Sequence, residues 1–206
     1  NLFFTMSVTL VNTSGSTQNN VYYMRTVDPD QEVPITGLYQ TINEITYQLP
    51  NALNATLVSA TGTTHPGAYL GLGTLDCRAK CFRLNSGLVP TVNCSALYAG
   101  SSTVSYSGTA TIDAGVGIVF NLGNVAAGDS VKFAYAYILD TSDIINAFKS
   151  TLPDWTATGD TATAHVAGDT ASVCMSTLTT ASITNPGTFS WSWTALTGET
   201  LSTYTG

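Results

Sequence analysis

The chain is written in short runs of β-branched and aromatic residues separated by turn residues, and this punctuation constrains its fold more than any other feature. Ten such runs occur in order: LFFTMSVTLV, NVYYMRT, EITYQL, ATLVSAT, TVSYSGTATI, VGIVFNL, VKFAYAYIL, TATAHVA, ASVCMST and TFSWSWTAL. Each is rich in Val, Ile, Thr and aromatics and is bounded by Gly, Pro, Asn or Asp, the signature of a strand. In TFSWSWT, Phe189, Trp191 and Trp193 share one face while Ser190, Ser192 and Thr194 share the other, as when one side packs on a core. In VKFAYAYIL, Phe133, Tyr135, Tyr137 and Leu139 form one row, and Ala134, Ala136 and Ile138 make the opposite row apolar too. A strand apolar on both faces belongs in the middle of a sheet. The expectation is an all-β, jelly-roll-type sandwich of about ten strands.

One window departs from this pattern. TSDIINAFKSTLP offers Thr141 or Ser142 as a cap, Asp143 for the positive end of the helix dipole, Ile144 and Phe148 four apart, and Pro153 as a stop. It predicts one short helix in a connection. The segment 62–99 is the least regular, carries three of the four cysteines and reads as a disulfide-stapled loop excursion. No repeat of 20–50 residues is visible. Residues 1–206 are therefore read as a single elaborated sandwich domain, long enough to bury a full core.

Charge excludes several partners. Only 9% of residues are charged, against about 25% in an ordinary soluble protein. Thr and Ser together fill 53 of 206 positions (34 and 19), so the surface is built from hydroxyls rather than ions. A net charge of −7 with six Lys and Arg leaves no basic patch for a phosphate backbone or an anionic membrane. No apolar run approaches the roughly 18 residues that span a bilayer. A start at Asn1 without an initiator Met or a charged leader reads as a processed segment.

Cys77, Cys81, Cys94 and Cys174 are an even number, which favours two disulfides in an oxidising, extracellular compartment, with three pairings open. Zinc would need a second close pair of thiols or nearby histidines, and neither is present. Sequons at Asn12, Asn54 and Asn93 make these residues glycan acceptors if the chain is secreted, although about three such triplets arise by chance in so hydroxyl-rich a sequence.

Chemistry is sparse. Asp28, Asp30 and Glu32 alternate with Pro29 and Gln31, so an extended loop can aim all three at a hard cation such as calcium. The EF-hand pattern fails, because Val33 and Tyr39 stand where Gly and an acid are needed. The competing reading is a turn closing a strand, with the carboxylates bonding local N–H groups and Arg25. A glycosidase would pair two carboxyls across a cleft, and Asp76, Asp113, Asp140 and Asp154 are all available without any signal placing them. His65 and His165 are far apart, and no nucleophile elbow, HExxH or phosphate loop appears. Trp191 and Trp193, helped by Tyr22 or Tyr23, would suit a sugar platform if exposed, but an aromatic row on an alternating strand is ordinarily core.

VTLVNTSGSTQNNVYYMRTVDPD and FNLGNVAAGDSVKFAYAY resemble the opening and closing strand pairs of immunoglobulin-like modules found in secreted and cell-surface proteins of microbes. The resemblance covers about a fifth of the chain. It implies a structural or adhesive part of a surface assembly. The functional expectation is a non-enzymatic subunit of an extracellular filament, sheath or coat, without a cofactor, whose main partner is a copy of itself. LFFTMSVTLV is the candidate for completing a neighbour's sheet by strand addition. The alternatives are a carbohydrate-binding adhesion module, a viral coat or tail protein, and a secreted hydrolase.

Overall fold

The computed structural model describes residues 1–151. The runs TATAHVA, ASVCMST and TFSWSWTAL, with Asp154, His165, Cys174, Trp191 and Trp193, lie outside the described residues. Within them the elements run β1 (Phe3–Val11), β2 (Gln18–Val27), α1 (Val33–Thr36), β3 (Thr41–Tyr47), β4 (Thr56–Gly62), β5 (Tyr69–Thr74), β6 (Ala79–Leu84), α2 (Cys94–Ala99), β7 (Val104–Ser105), β8 (Thr109–Ile112), β9 (Val116–Val125), β10 (Ser130–Ile138) and α3 (Ile144–Ser150). Strands pair antiparallel in two sheets, ordered β1-β10-β5-β4-β3-β8 and β2-β9-β6-β7. The chain is thus mostly β, as its punctuation predicts.

The period-2 alternation explains how the layers stack. Inward rows of both sheets meet in a core of Val58, Leu72, Cys81, Ile118, Phe120, Phe133 and Tyr135, all buried. Outward rows are covered as well. Leu57, Ala136 and Ile138 on the six-stranded sheet pack under Ala147 and Phe148 of α3. Phe82, Leu84 and Val119 on the four-stranded sheet pack under Leu97 of α2. Both sheets are therefore sandwiched on two sides, which is why VKFAYAYIL and VGIVFNL are apolar on both faces. The expected helix is present as α3, preceded by a 3₁₀ turn at Thr141–Asp143. Its entry is capped by Asp140, which accepts from the Ser142 N–H, rather than by Thr141 or Ser142.

The segment 62–99 is not a loop excursion. It supplies β5 and β6, which lie inside the two sheets, between β10 and β4 and between β9 and β7. Strand pairing holds it. Its glycines hide the pattern, since Gly71 and Gly73 of YLGLGT occupy the face that α3 covers. A Cβ at Gly73 would sit 2.7 Å from the Phe148 ring and 3.0 Å from Leu57, so the missing side chain is the space into which the helix packs.

The two expected disulfides do not both form, because Cys81 and Cys94 are free thiols. Successive strand residues point to opposite faces. Cys81 faces the inter-sheet core, while Cys94 packs with Phe82 and Leu97 on the far side of the same sheet. Sulfurs separated by a sheet cannot reach the Cβ spacing of about 4 Å that a bridge needs. No disulfide joins two of the described cysteines.

Among the described residues the two sheets have four margins, which differ in how they end. β7 has 2 residues and β8 has 4. β2 breaks register twice between Gln18 and Tyr22, where Asn20 takes a left-handed φ of 54°, and it carries Arg25. β1 has none of these interruptions. It runs in unbroken register against β10 from Phe3↔Ile138 to Val11↔Ser130, and FFTMSVTLV contains no charge and no proline. This full pairing also corrects the expectation for LFFTMSVTLV: the strand belongs to its own sheet and is not a spare arm.

Candidate functional site

The acidic loop after β2 splits into two sites with different chemistry. Asp28 and Asp30 turn towards Asp113, from the connection between β8 and β9, and the three place carboxylate oxygens within 4.8 Å of one another. Asn43 holds that connection in place, since its buried amide donates to the Ile112 and Ala114 carbonyls at 3.3 and 3.0 Å. Burial, then the neighbouring Asp30 and Asp113, raise the Asp28 carboxyl above its ordinary range. Such like-charge crowding is relieved by a proton or by a hard cation taking oxygen ligands. Asp28, Asp30 and Asp113 are the residues that could hold one. Arg25 does not neutralise the group; its Nε donates to the Tyr137 hydroxyl and its guanidinium lies 5.8 Å from that ring's centre.

Glu32 is elsewhere. Fully buried, it accepts from the backbone N–H groups of Thr63, Thr64 and His65 at 2.5, 3.0 and 2.5 Å. The Thr63 and Thr64 hydroxyls add bonds of 2.9 Å each, and His65 Nδ1 lies 3.2 Å away. Burial alone would raise this carboxyl; hydrogen bonds from Thr64, His65 and Thr63 more than reverse that and bring it down to about 2. Three successive N–H groups converging on one anion form a nest. Gly62 makes room, since a Cβ there would lie 2.5 Å from Glu32 Cδ. Glu32 therefore pins the acidic loop to the end of β4, and its lone pairs are spent on the backbone instead of a shared metal. Nothing in the spacing of DPDQE and GTTH signals this, because the partners are some thirty residues apart.

The other candidate residues have structural occupations. Asp76 holds Arg78 in a two-point ion pair, at 2.9 and 2.6 Å. Asp140 caps the turn before α3. Asn93 caps α2 and stays exposed, with its Oδ1 accepting from Ala96 N at 2.9 Å. Asn12 is buried, and its Nδ2 donates to the carbonyls of Ser16, Val125 and Ala126 at 2.8, 2.9 and 2.9 Å. Its sequon is therefore closed in the folded chain. Tyr22 packs its ring on Tyr98, 6.0 Å between centres.

A feature that sequence reading did not isolate lies along β1. Phe4 and Met6 stand on the inward row with Val8 and Leu10, yet they remain 48% and 40% exposed. The two sheets do not close over them. They line an open groove of about 370 Å³ with Tyr135 and Tyr137 of β10 and Tyr23 and Arg25 of β2. Phe4 stacks on Tyr137 with 4.7 Å between centres, and the Tyr23 and Tyr135 hydroxyls are 3.0 Å apart. Burial, then the Tyr23 bond, raises the Tyr135 hydroxyl well above the ordinary tyrosine range. The groove's one charge is Arg25. A second cavity, lined by Leu84, Asn85, Val89 and Thr103 among others, likewise has no carboxylate.

Comparison with protein-family models, with curated proteins and with solved structures found no match.

Proposed function

We propose that this chain is a non-enzymatic building block of an extracellular filament, sheath or coat, whose copies join by β-strand addition at the β1 margin. The observation that carries the reading is the side of β1 that no described strand pairs. Exposed sheet margins are ordinarily blunted by shortness, charge, proline or bulges, because unpaired N–H and C=O groups recruit other strands. The described margins at β2, β7 and β8 are blunted in these ways, and β1 is not. Its inward row is also left half open: Phe4 and Met6 are 48% and 40% exposed. Covering each would contribute about 1 kcal/mol, half of what full burial of such a side chain gives. An added strand would supply that cover and satisfy the margin's backbone groups together.

The hydroxyl-rich, weakly charged composition supports a place outside the cell, where solubility rests on Ser and Thr rather than on ions. The test is size-exclusion chromatography with light scattering across a concentration series, followed by electron microscopy. Ordered oligomers or fibres are the expected result. A monodisperse monomer at millimolar concentration would overturn the reading.

A further inference from the structure

We infer that Asn93 carries an N-linked glycan in the secreted chain, on an amide nitrogen that the fold leaves open, while Asn12 stays bare. This rests on the extracellular reading of the preceding subsection, though not on strand addition. The sequence offers equivalent triplets, and the folded structure separates them. Asn93 stands exposed before α2, and only its carbonyl is engaged: Oδ1 accepts from Ala96 N at 2.9 Å and from the Ser95 hydroxyl at 2.8 Å. Its Nδ2 donates to no described residue. Glycosylation changes the nitrogen and leaves the carbonyl as it was, so the cap on α2 survives the modification. Asn54 is half-buried, and Thr56 of its triplet is wholly buried with its hydroxyl turned to the Ala79 carbonyl, so it presents less to a glycan than Asn93 does.

Asn12 shows the contrary arrangement. It is buried, and its amide hydrogens are committed to the carbonyls of Ser16, Val125 and Ala126, so a sugar on that nitrogen would break the joint between two turns. Transfer to a growing chain precedes folding, and the fold then acts as a filter: a chain occupied at Asn93 can close, and a chain occupied at Asn12 cannot. The surroundings of Asn93 suit a sugar. A hollow of about 320 Å³ includes Thr91, two residues before it, and is lined without charge by Asn85, Ser86, Ser102 and Thr103 among others. Thr103 directly precedes β7, so a glycan over this hollow shields the β7 margin, while β1 at the edge of the other sheet stays clear. In the transfer itself, a bond forms between Nδ2 and the sugar's C1 as C1 leaves the pyrophosphate oxygen of a lipid-linked oligosaccharide. Nδ2 gives up one proton, which the departing pyrophosphate carries away.

The test secretes the full chain from cells that N-glycosylate, as wild type, S95A and S95T. S95A removes the triplet but keeps Asn93 as the cap, and S95T restores the triplet. On treatment with peptide-N-glycosidase, wild type and S95T should each lose the mass of one glycan more than S95A, with the same circular dichroism in all three. Peptide mapping after the enzyme should find Asn93 converted to aspartate and Asn12 unconverted. If S95A is not recovered folded, N93D carries the same test, since aspartate caps a helix as well as asparagine does. Folded wild-type chains with Asn93 unconverted, or with Asn12 converted, would overturn the inference whether or not they assemble. Chains that carry the glycan at Asn93 yet remain monomeric would leave it standing and count against strand addition alone. A chain that is never released folded in any variant would count against the extracellular reading and overturn the inference with it.

Discussion

Asn12→Ala should destabilise the fold far more than a polar residue in a loop ordinarily does. Asn12 follows β1 and is only 7% exposed. Its two amide hydrogens serve three carbonyls, of Ser16, Val125 and Ala126, and its Oδ1 accepts from the Ser14 N–H and hydroxyl at 3.0 and 2.7 Å. The side chain thereby ties the β1–β2 turn to the β9–β10 turn, beside the backbone bonds from Asn12 N to Asp129 O and from Gly128 N to Asn12 O. Alanine would orphan the buried Val125 carbonyl, at about 1–3 kcal/mol, and leave the part-buried groups to water at about 0.5 kcal/mol or more each. A total of about 3 kcal/mol corresponds to a Tm lowered by roughly 6–12 °C in a chain of this size. Asn12→Asp keeps the shape but turns a carboxylate on three carbonyls, so at pH 7 it should cost at least as much as alanine. Thermal unfolding by circular dichroism, with urea midpoints as a second reading, measures both. If either variant melted within about 2 °C of wild type, the reasoning that this sequon is a sealed structural joint would be wrong.

Other predictions follow from single sites. Glu32 titrates lower folded than its ordinary value of 4.5, so the stability it contributes is complete above about pH 4.5 and is lost as pH falls towards 2; Glu32→Gln should flatten that part of the acid-unfolding curve, and an unchanged curve would refute the anchoring role. Burial raises the Cys81 thiol to about 12, so alkylation of the native chain at pH 8 followed by peptide mapping should modify Cys94 and spare Cys81 until denaturant is added. Gly117→Ala would bring a methyl within 2.4 Å of the Phe82 ring and 2.9 Å of the Arg25 carbonyl. Overpacking of that kind costs about 1–3 kcal/mol, measurable as a lowered urea midpoint.

What the sequence disclosed depended on how each residue earns its place. The runs that became β1, β2, β4, β9 and β10 combine β-branched or aromatic residues with alternation, and those two properties are sufficient to mark a strand. β5 and β6 escaped because glycine in one and Arg78, Lys80 and Arg83 around the other mask burial that arises only when α3 and α2 arrive. TVSYSGTATI reads as one strand but breaks at Gly108, whose φ is +74°, so that β7 and β8 join different sheets. At the acidic loop, Asp28 and Asp30 were visible as neighbours, whereas Asp113 was brought in by the buried Asn43 and Glu32 was drawn away by three N–H groups of a distant turn. Long-range pairing of this kind leaves no mark on local spacing. The groove at β1 was hidden for the same reason, since Phe4 and Met6 look like ordinary core positions until the two sheets are seen to part above them.

The most direct measurement is residue-resolved hydrogen exchange of the amides from Phe3 to Val11, compared between dilute chains and assembled material. Joining at this margin predicts that alternate β1 amides, those facing away from β10, become slow on assembly while those of β8 do not change. Assembled material in which the β1 amides exchange as fast as in the isolated chain would contradict the account.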